Sequence, residues 1–454
     1  MTLDWYDRPF LGWQRGFRAP WKRGWILGTE EDDVGIVGPP RVGKTAGLLI
    51  PQALLWDGPI VLASTKPDLL QATGDRRQEL AGRHDGRVRL YMPTAREAVH
   101  GLDPLRFSLL DECTDPVVAK SRAIAMTYSA GTARGVSDGT YWQAAGSRLL
   151  QGLLHAAAVG GYDVRQVKAW LAEEELEEPA QEIERSTSEA SGLWATDLRG
   201  IARVPPRERG SYFAQARQAL EALDLPSVVA NSVDSDFDPT EFLETRSTLY
   251  VVSPTSQQEL VAPLVAALIE GLVEHAYRLW HQGRLRRRLL LVLDELANIA
   301  PLPSLLKIIS EGASQGVLVC WAVQSLHQLR ERYGEQAAQA VFSSTRAKIV
   351  FGGSSDERDL SALERLLGDH DVEQRSRSRG PHERGWSETV GTQRLPRVPV
   401  SELRAIPTGR ALLVYHTYRP EMIDAKLAVT TEPFRSVTGW RAATPARTLQ
   451  LSRR

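Results

Sequence analysis

Only two cysteines, Cys113 and Cys320, occur in the 454 residues, and they lie far apart. That excludes a disulfide framework and a cysteine-based metal site, and leaves two free thiols in a reducing compartment as the expectation. Charge of one sign is also lacking. Lys and Arg number 55 against 56 Asp and Glu, for a net charge of -1 and a pI near 6.8. A stand-alone nucleic-acid binder is usually basic, so any grip on a polyanion must come from local patches or from a ring that concentrates charge in a channel. No stretch reads as the roughly 20 apolar residues that span a bilayer. Asp4, Asp7 and Arg8 interrupt any signal-peptide core.

What is present is ordinary globular material. Hydrophobic residues make up 42% and charged residues 24%, enough to bury a core, and the length favours two or more domains. Residues 1–28 form an aromatic and basic arm. Trp5, Tyr6, Phe10, Trp13, Phe17, Trp21 and Trp25 alternate with Arg8, Arg15, Arg18, Lys22 and Arg23. Such a mixture suits a membrane interface or a partner surface. Gly12, Gly16, Pro20 and Gly24 break up an amphipathic helix, so packing on the protein's own body is the preferred expectation.

Val34–Val37 is a short apolar strand that runs into a glycine-rich turn and a helix from Thr45 to Leu55. Strands at Ile60–Ala63 and Val88–Tyr91 continue a βαβ rhythm, which implies a parallel sheet with helical crossovers. The rhythm stops near Asp111. From 114 to 245 the pattern is helical, with Tyr141–Val159, Gln166–Leu176 and Ser211–Leu223 as helices, and an acidic run around Glu173–Glu178 reads as a solvated face. This block reads as an all-α domain inserted into a discontinuous α/β domain of residues 29–113 and 246–440. The sheet resumes at Ser247–Val252. A helix at Leu260–Trp280 follows, then strands at Leu289–Leu293, Val317–Val323, Lys348–Phe351 and Ala411–Tyr415. Residues 373–397 carry Arg375, Arg377, Arg379 and Arg384 and read as a flexible basic loop or exposed hairpin. Residues 441–454 read as a frayed tail.

Gly38, Pro39, Pro40, Arg41, Val42, Gly43, Lys44 and Thr45, followed by Ala46, match the complete P-loop pattern. Its backbone N–H groups and the following helix N-terminus would cradle phosphates, with Lys44 reaching the β- and γ-phosphates and Thr45 binding Mg²⁺. The flanking strand and helix argue against a chance glycine-rich turn. The apolar strand Leu289–Leu293 delivers Asp294 and Glu295 at its C-terminal end, where open α/β sheets bind ligands. Asp294 would hold the Mg²⁺ and Glu295 would orient and polarise the attacking water. The plainer alternative, an acidic strand exit, loses force beside a P-loop. Gln324 ends the next strand and is assigned to sense the γ-phosphate or position water; the alternative is an amide that satisfies strand-end backbone. Lys44, Glu295 and Gln324 are thus the catalytic candidates. Thr65-Lys66-Pro67-Asp68 resembles a guanine-reading signature but follows the P-loop too soon and lacks a DxxG switch before it. ATP is therefore expected over GTP.

With these motifs in hand, the chain resembles the type IV secretion coupling proteins of the TraG/TraD kind, the conjugative DNA-transfer ATPases. The resemblance rests on the P-loop, on Ser64-Thr65-Lys66-Pro67-Asp68-Leu69, on Leu102-Asp103-Pro104-Leu105, on Leu291-Val292-Leu293-Asp294-Glu295-Leu296-Ala297-Asn298 and on Trp321-Ala322-Val323-Gln324-Ser325, in that order, with a helical insertion between the first and fourth. Tyr141-Trp142 inside the insertion also fits. The resemblance implies a RecA-like motor domain with an all-α domain, ATP and Mg²⁺ at subunit interfaces of a homohexamer, and DNA, expected to be single-stranded and delivered with a relaxase, as substrate. It also implies type IV secretion components as partners and a cytoplasmic position at the inner face of the plasma membrane. Two departures stand out. The family's pair of N-terminal transmembrane helices is not in this sequence, so membrane contact is expected only through a missing anchor or a partner. The turn Gly312-Ala313-Ser314-Gln315-Gly316 lacks the arginine many members place there as a trans-acting finger, and Arg346 is a weak substitute; Lys307, Glu311 and Gln315 nearby have no assigned role. A chromosome-partitioning motor of the FtsK/HerA type is one alternative, and a non-motor adaptor that binds ATP and recruits protein substrates is another.

Overall fold

The structure, a computed structural model, describes residues 4–15, 24–131, 139–186, 192–378 and 387–439, with all side chains except those of 139–142, 376–378 and 387–389. In chain order the strands are β1 (Phe10–Gln14), β2 (Trp25–Leu27), β3 (Val34–Val37), β4 (Ile60–Ser64), β5 (Val88–Tyr91), β6 (Thr248–Val252), β7 (Leu289–Asp294), β8 (Val317–Val323), β9 (Ala347–Phe351), β10 (Asp369–Ser378), β11 (Ser387–Pro396), β12 (Arg410–Tyr415) and β13 (Glu421–Asp424). All but β10 and β11 join in one 11-stranded sheet, ordered β2-β1-β13-β12-β9-β3-β8-β7-β4-β6-β5. From β9 to β5 every neighbouring pair is parallel. β12, β13, β1 and β2 extend the sheet by antiparallel pairing.

The central strands read as unbroken apolar runs because both sheet faces are covered. Side chains alternate across a strand, and the core divides accordingly. Val61, Leu289, Leu291, Leu293, Val317, Val319 and Trp321 belong to one cluster. Ile60, Leu62, Leu290, Val292, Leu318 and Cys320 belong to the other. The second face is covered by α1 (Thr45–Leu55) and α2 (Asp68–Gly82), whose Leu48, Leu54, Leu69 and Ala72 join its cluster.

The helical insertion comprises α3 (Pro116–Ala130), α4 (Gly139–Val159), α5 (Val164–Glu173), α6 (Glu177–Arg185), α7 (Gly192–Ala202), α8 (Pro206–Ala219), α9 (Pro226–Ala230) and α10 (Pro239–Glu244). Asp115, Asp163 and Asp238 cap α3, α5 and α10 by accepting backbone N–H bonds. The insertion shares a continuous core with the sheet, since Leu149, Trp170 and Phe213 lie in the same cluster as Leu291. The link is α11 (Gln258–His281), against which α3 packs. Over Thr255–His281 this segment has the length and mean hydropathy of a membrane span, yet 78% of its most apolar window is buried in the core. The expectation that no such stretch exists is therefore corrected: the helix is mostly apolar because most of it lies in the core, with Glu259 and Arg278 on its exposed side.

Beyond α11 come α12 (Leu296–Ile299), α13 (Leu305–Glu311), α14 (Leu326–Tyr333), α15 (Glu335–Ser344), α16 (Glu357–Leu367) and α17 (Val400–Arg404). The described part of the aromatic and basic arm, 4–15 and 24–28, packs on the protein's own body, as preferred from the sequence: β1 and β2 form one end of the main sheet and Phe10, Trp13 and Trp25 pack around Phe434. Of the two readings given for residues 373–397, a flexible loop or an exposed hairpin, the hairpin is the one observed: β10 and β11 pair over ten positions from Asp369–Pro396 to Ser378–Ser387. Phe17, Trp21, Arg18, Lys22, Arg23, Arg379, Arg384 and the tail 441–454 lie outside the described residues, as do the side chains of Tyr141, Trp142 and Arg377.

Candidate nucleotide site

β3 ends at Val37, in the middle of the sheet between β9 and β8, and Gly38 N donates to Val323 O across the strand ends at 3.2 Å. The loop that follows needs backbone shapes most residues resist. Arg41 holds φ 66 and Gly43 φ 107; the latter lies in the range that favours glycine. Lys44 is mostly buried, and its Nζ donates to Gly38 O at 2.5 Å and Pro39 O at 3.0 Å. Burial lowers the Lys44 pKa, against the pull of the Asp294 and Glu295 charges. Lys44 is thus held by loop carbonyls, in reach of anything the loop binds.

Thr45 opens α1, and its hydroxyl donates to Asp294 Oδ2 at 2.8 Å. This bond closes the gap between the P-loop and β7. Burial pushes the Asp294 carboxyl up to about 6, with the charges of Glu295 and Asp68 adding to the shift and Thr45 and Lys44 opposing it. A buried acid with that shift, beside a hydroxyl, fits a divalent cation: hard oxygen donors suit Mg²⁺, which usually takes one or two carboxylates and phosphate oxygens. Among the described residues no cluster of three His, Cys, Asp or Glu offers a self-sufficient metal site.

Glu295 follows in the left-handed region, φ 63 and ψ 49. For a non-glycine residue this costs on the order of 1 kcal/mol. The turn leaves Glu295 Oε1 at 3.2 Å from Gln324 Nε2, at the end of the neighbouring strand β8. Gln324 is itself fixed, since its backbone N–H donates to Gln328 Oε1 at 2.9 Å. Lys44, Thr45, Asp294, Glu295 and Gln324 therefore converge at the C-terminal ends of β3, β7 and β8. Asp68 begins α2 close enough for its charge to act on Asp294. The Leu102–Leu105 segment lies elsewhere and covers the edge strand β5, with Leu105 N donating to Leu90 O at 2.7 Å.

Arg346 is not part of this constellation. It precedes β9, whose Ala347 pairs with Val34 at the start of β3, so it sits at the opposite end of the sheet. There its guanidinium lies 3.4 Å from Glu31 and 3.8 Å from Asp32. Three positions escaped the sequence reading. Arg77, fully buried on α2, donates to the carbonyls of Trp56 and Gly58 and to Thr248 Oγ1, and so anchors the end of α1. Arg332, on α14 just beyond Gln324, donates to Ser129 O at 2.8 Å and Tyr128 O at 3.5 Å at the end of α3. The segment after β13 crosses α1, with Ala425 buried against Gly47. All three contacts are distant in sequence, and no local pattern announces them.

The sheet order and the placement of this loop define a RecA-like P-loop fold with an all-helical insertion. Residues 7–422 match the family model described as Type IV secretory system Conjugative DNA transfer, and the chain belongs to that family. It is 24% identical over 358 residues to a probable conjugal transfer protein TraG of Sinorhizobium fredii, covering 77% of this chain and 54% of the relative. It is 23% identical over 404 residues to protein VirD4 of Agrobacterium fabrum, covering 83% and 55%. The chain spans about half the length of the curated relatives it matches. Among solved structures, plasmid coupling protein TrwB in complex with ADP and Mg²⁺ superposes with a TM-score of 0.65 at 21% identity, over 87% of this chain and 85% of that one.

Proposed function

We propose that this chain is an ATPase that recruits or pumps DNA, carried with a relaxase, into a type IV secretion channel. The observation that carries the reading is the pair of bonds Thr45–Asp294 at 2.8 Å and Glu295–Gln324 at 3.2 Å, which ties the P-loop to an acid positioned for hydrolysis. Family membership and the nucleotide complexes of the TrwB structure support it.

In this reading the Gly38–Thr45 loop binds the phosphates of ATP through backbone N–H groups, and Ala46 continues the cradle into α1. Lys44 exchanges the carbonyls of Gly38 and Pro39 for the β- and γ-phosphates. Thr45 and Asp294 hold Mg²⁺, which supplies charge neutralisation on the phosphate oxygens. Glu295 orients a water toward the γ-phosphorus and accepts its proton as the new P–O bond forms and the bond to ADP breaks. Gln324 holds the Glu295 carboxylate in place and exchanges that bond for the γ-phosphate or the water. A homohexamer at the inner face of the plasma membrane, with secretion components as partners, completes the proposal.

The test is steady-state ATP hydrolysis by the full chain with and without single- and double-stranded DNA. The expected result is a rate that rises severalfold with DNA and is lost in Lys44→Ala. Absent turnover under all conditions, alongside tight binding of a relaxase, would replace the motor with an ATP-binding adaptor.

A further inference from the structure

We propose that Leu427 is the wall against which the nucleobase of the bound nucleotide packs. This rests on the P-loop reading above and adds the half of the site that reading leaves open. Asp294, Glu295 and Gln324 lie at the C-terminal ends of β7 and β8, on one side of β3, and so fix where the terminal phosphate and the metal belong. A triphosphate that wraps the loop with that end toward β8 sends its nucleoside toward the other flank of β3, where β9, β12 and β13 follow in order.

The chain that leaves β13 is built into that flank. Ala425 N donates to Gly409 O at 2.8 Å. A Cβ placed on Gly47 would stand 2.8 Å from Ala425 O, so the segment crosses the first turn of α1 at the closest approach a glycine allows. Ala425 and Ala428 are buried, while Leu427 between them is 42% exposed. Lys426 turns the other way, with its ammonium 4.9 Å from the centre of the Trp13 ring. Leu427 Cδ2 lies 3.8 Å from where a Cβ on Gly43 would be, beside the loop rather than under it. A branched aliphatic side chain on a rigidly held segment, half in water and against the phosphate loop, is suited to cover one face of a flat base. It offers carbon only. It therefore contributes equally to adenine and guanine and makes no hydrogen bond to the edge of either.

The test is isothermal titration of the full chain with non-hydrolysable imido analogues of ATP and GTP and with inorganic tripolyphosphate, each with Mg²⁺. Losing the contact of a partly exposed leucine corresponds to roughly a tenfold change in affinity. Leu427→Ser is expected to weaken both purine analogues about tenfold and tripolyphosphate less than twofold, and Leu427→Met to restore the purines to within about threefold of wild type. Unchanged purine affinity in Leu427→Ser would overturn the proposal, and so would an equal loss for tripolyphosphate, which would make Leu427 a support of the phosphate loop. Wild-type protein that binds none of the three would overturn the P-loop reading itself and the wall with it.

Discussion

Desolvation acts on both charges at the centre of the site: it raises the carboxyl of Asp294 to about 6 and lowers the ammonium of Lys44. Each is held nearer neutrality than it would be in water, and each gains most from a counter-charge that arrives with the nucleotide. A second buried acid has no such visitor. Asp33, at the start of β3 and away from the loop, is 2% exposed and is pushed up to about 8 by burial, although Val319 N donates to its Oδ1 at 2.7 Å. An unfolded aspartate titrates near 3.8. Between about pH 4 and pH 8 the folded chain therefore binds more protons here than the unfolded chain. The stability Asp33 contributes is full below pH 4 and falls as pH rises to 8, on the order of 1 kcal/mol per pH unit. Asp33→Asn keeps an acceptor for Val319 and removes the titration. Denaturant unfolding at pH 5 and pH 8 is expected to show a smaller drop for Asp33→Asn than for wild type, and equal drops would contradict the assignment.

Between elements, α14 connects the site to the helical insertion. It begins directly after Gln324 and Ser325, and near its other end Arg332 donates to the last carbonyls of α3. Free C-terminal carbonyls favour a cation, so a shift of Gln324 toward phosphate has a rigid route to the insertion. Arg332→Ala is expected to leave ATP affinity within about threefold of wild type, while it cuts the stimulation of hydrolysis by DNA by about fivefold or more. Wild-type stimulation in that variant would remove α14 as the link. The elements themselves were unequally legible. β7 and β8 stand out in the sequence because strands buried on both faces read as apolar runs, and the P-loop stands out because its chemistry is local. β1, β2 and β13 did not. They are three to five residues long, lie at the antiparallel end of the sheet, and β1 shifts register between Phe10 and Gly12. The β10–β11 hairpin was legible only as one of two readings, since Arg, Ser and Glu on an exposed ribbon resemble those of a loop. The roles of Arg77, Arg332 and Leu427 depend on carbonyls and a glycine far away in the chain, which no window of sequence brings together.

At the scale of the molecule, the insertion and the sheet share one core, so the P-loop and the helical insertion sit on one body. Lys44 is the cation whose charge reaches Asp294 and Glu295, and Arg346 faces Glu31 at the other end of the sheet. The ring proposed above would let a neighbouring subunit supply a further cation for the transition state. Turnover per chain is accordingly expected to rise with protein concentration and to level off once rings form; a rate per chain that is constant across the assembly range would argue for a complete site in the monomer. The most direct test of the site is Glu295→Gln, with equilibrium ATP binding and steady-state turnover measured on the same preparation. The account predicts ATP affinity within about threefold of wild type and turnover reduced at least about a hundredfold. Turnover within about tenfold of wild type, with affinity unchanged, would contradict the role of Glu295 and with it the hydrolytic site.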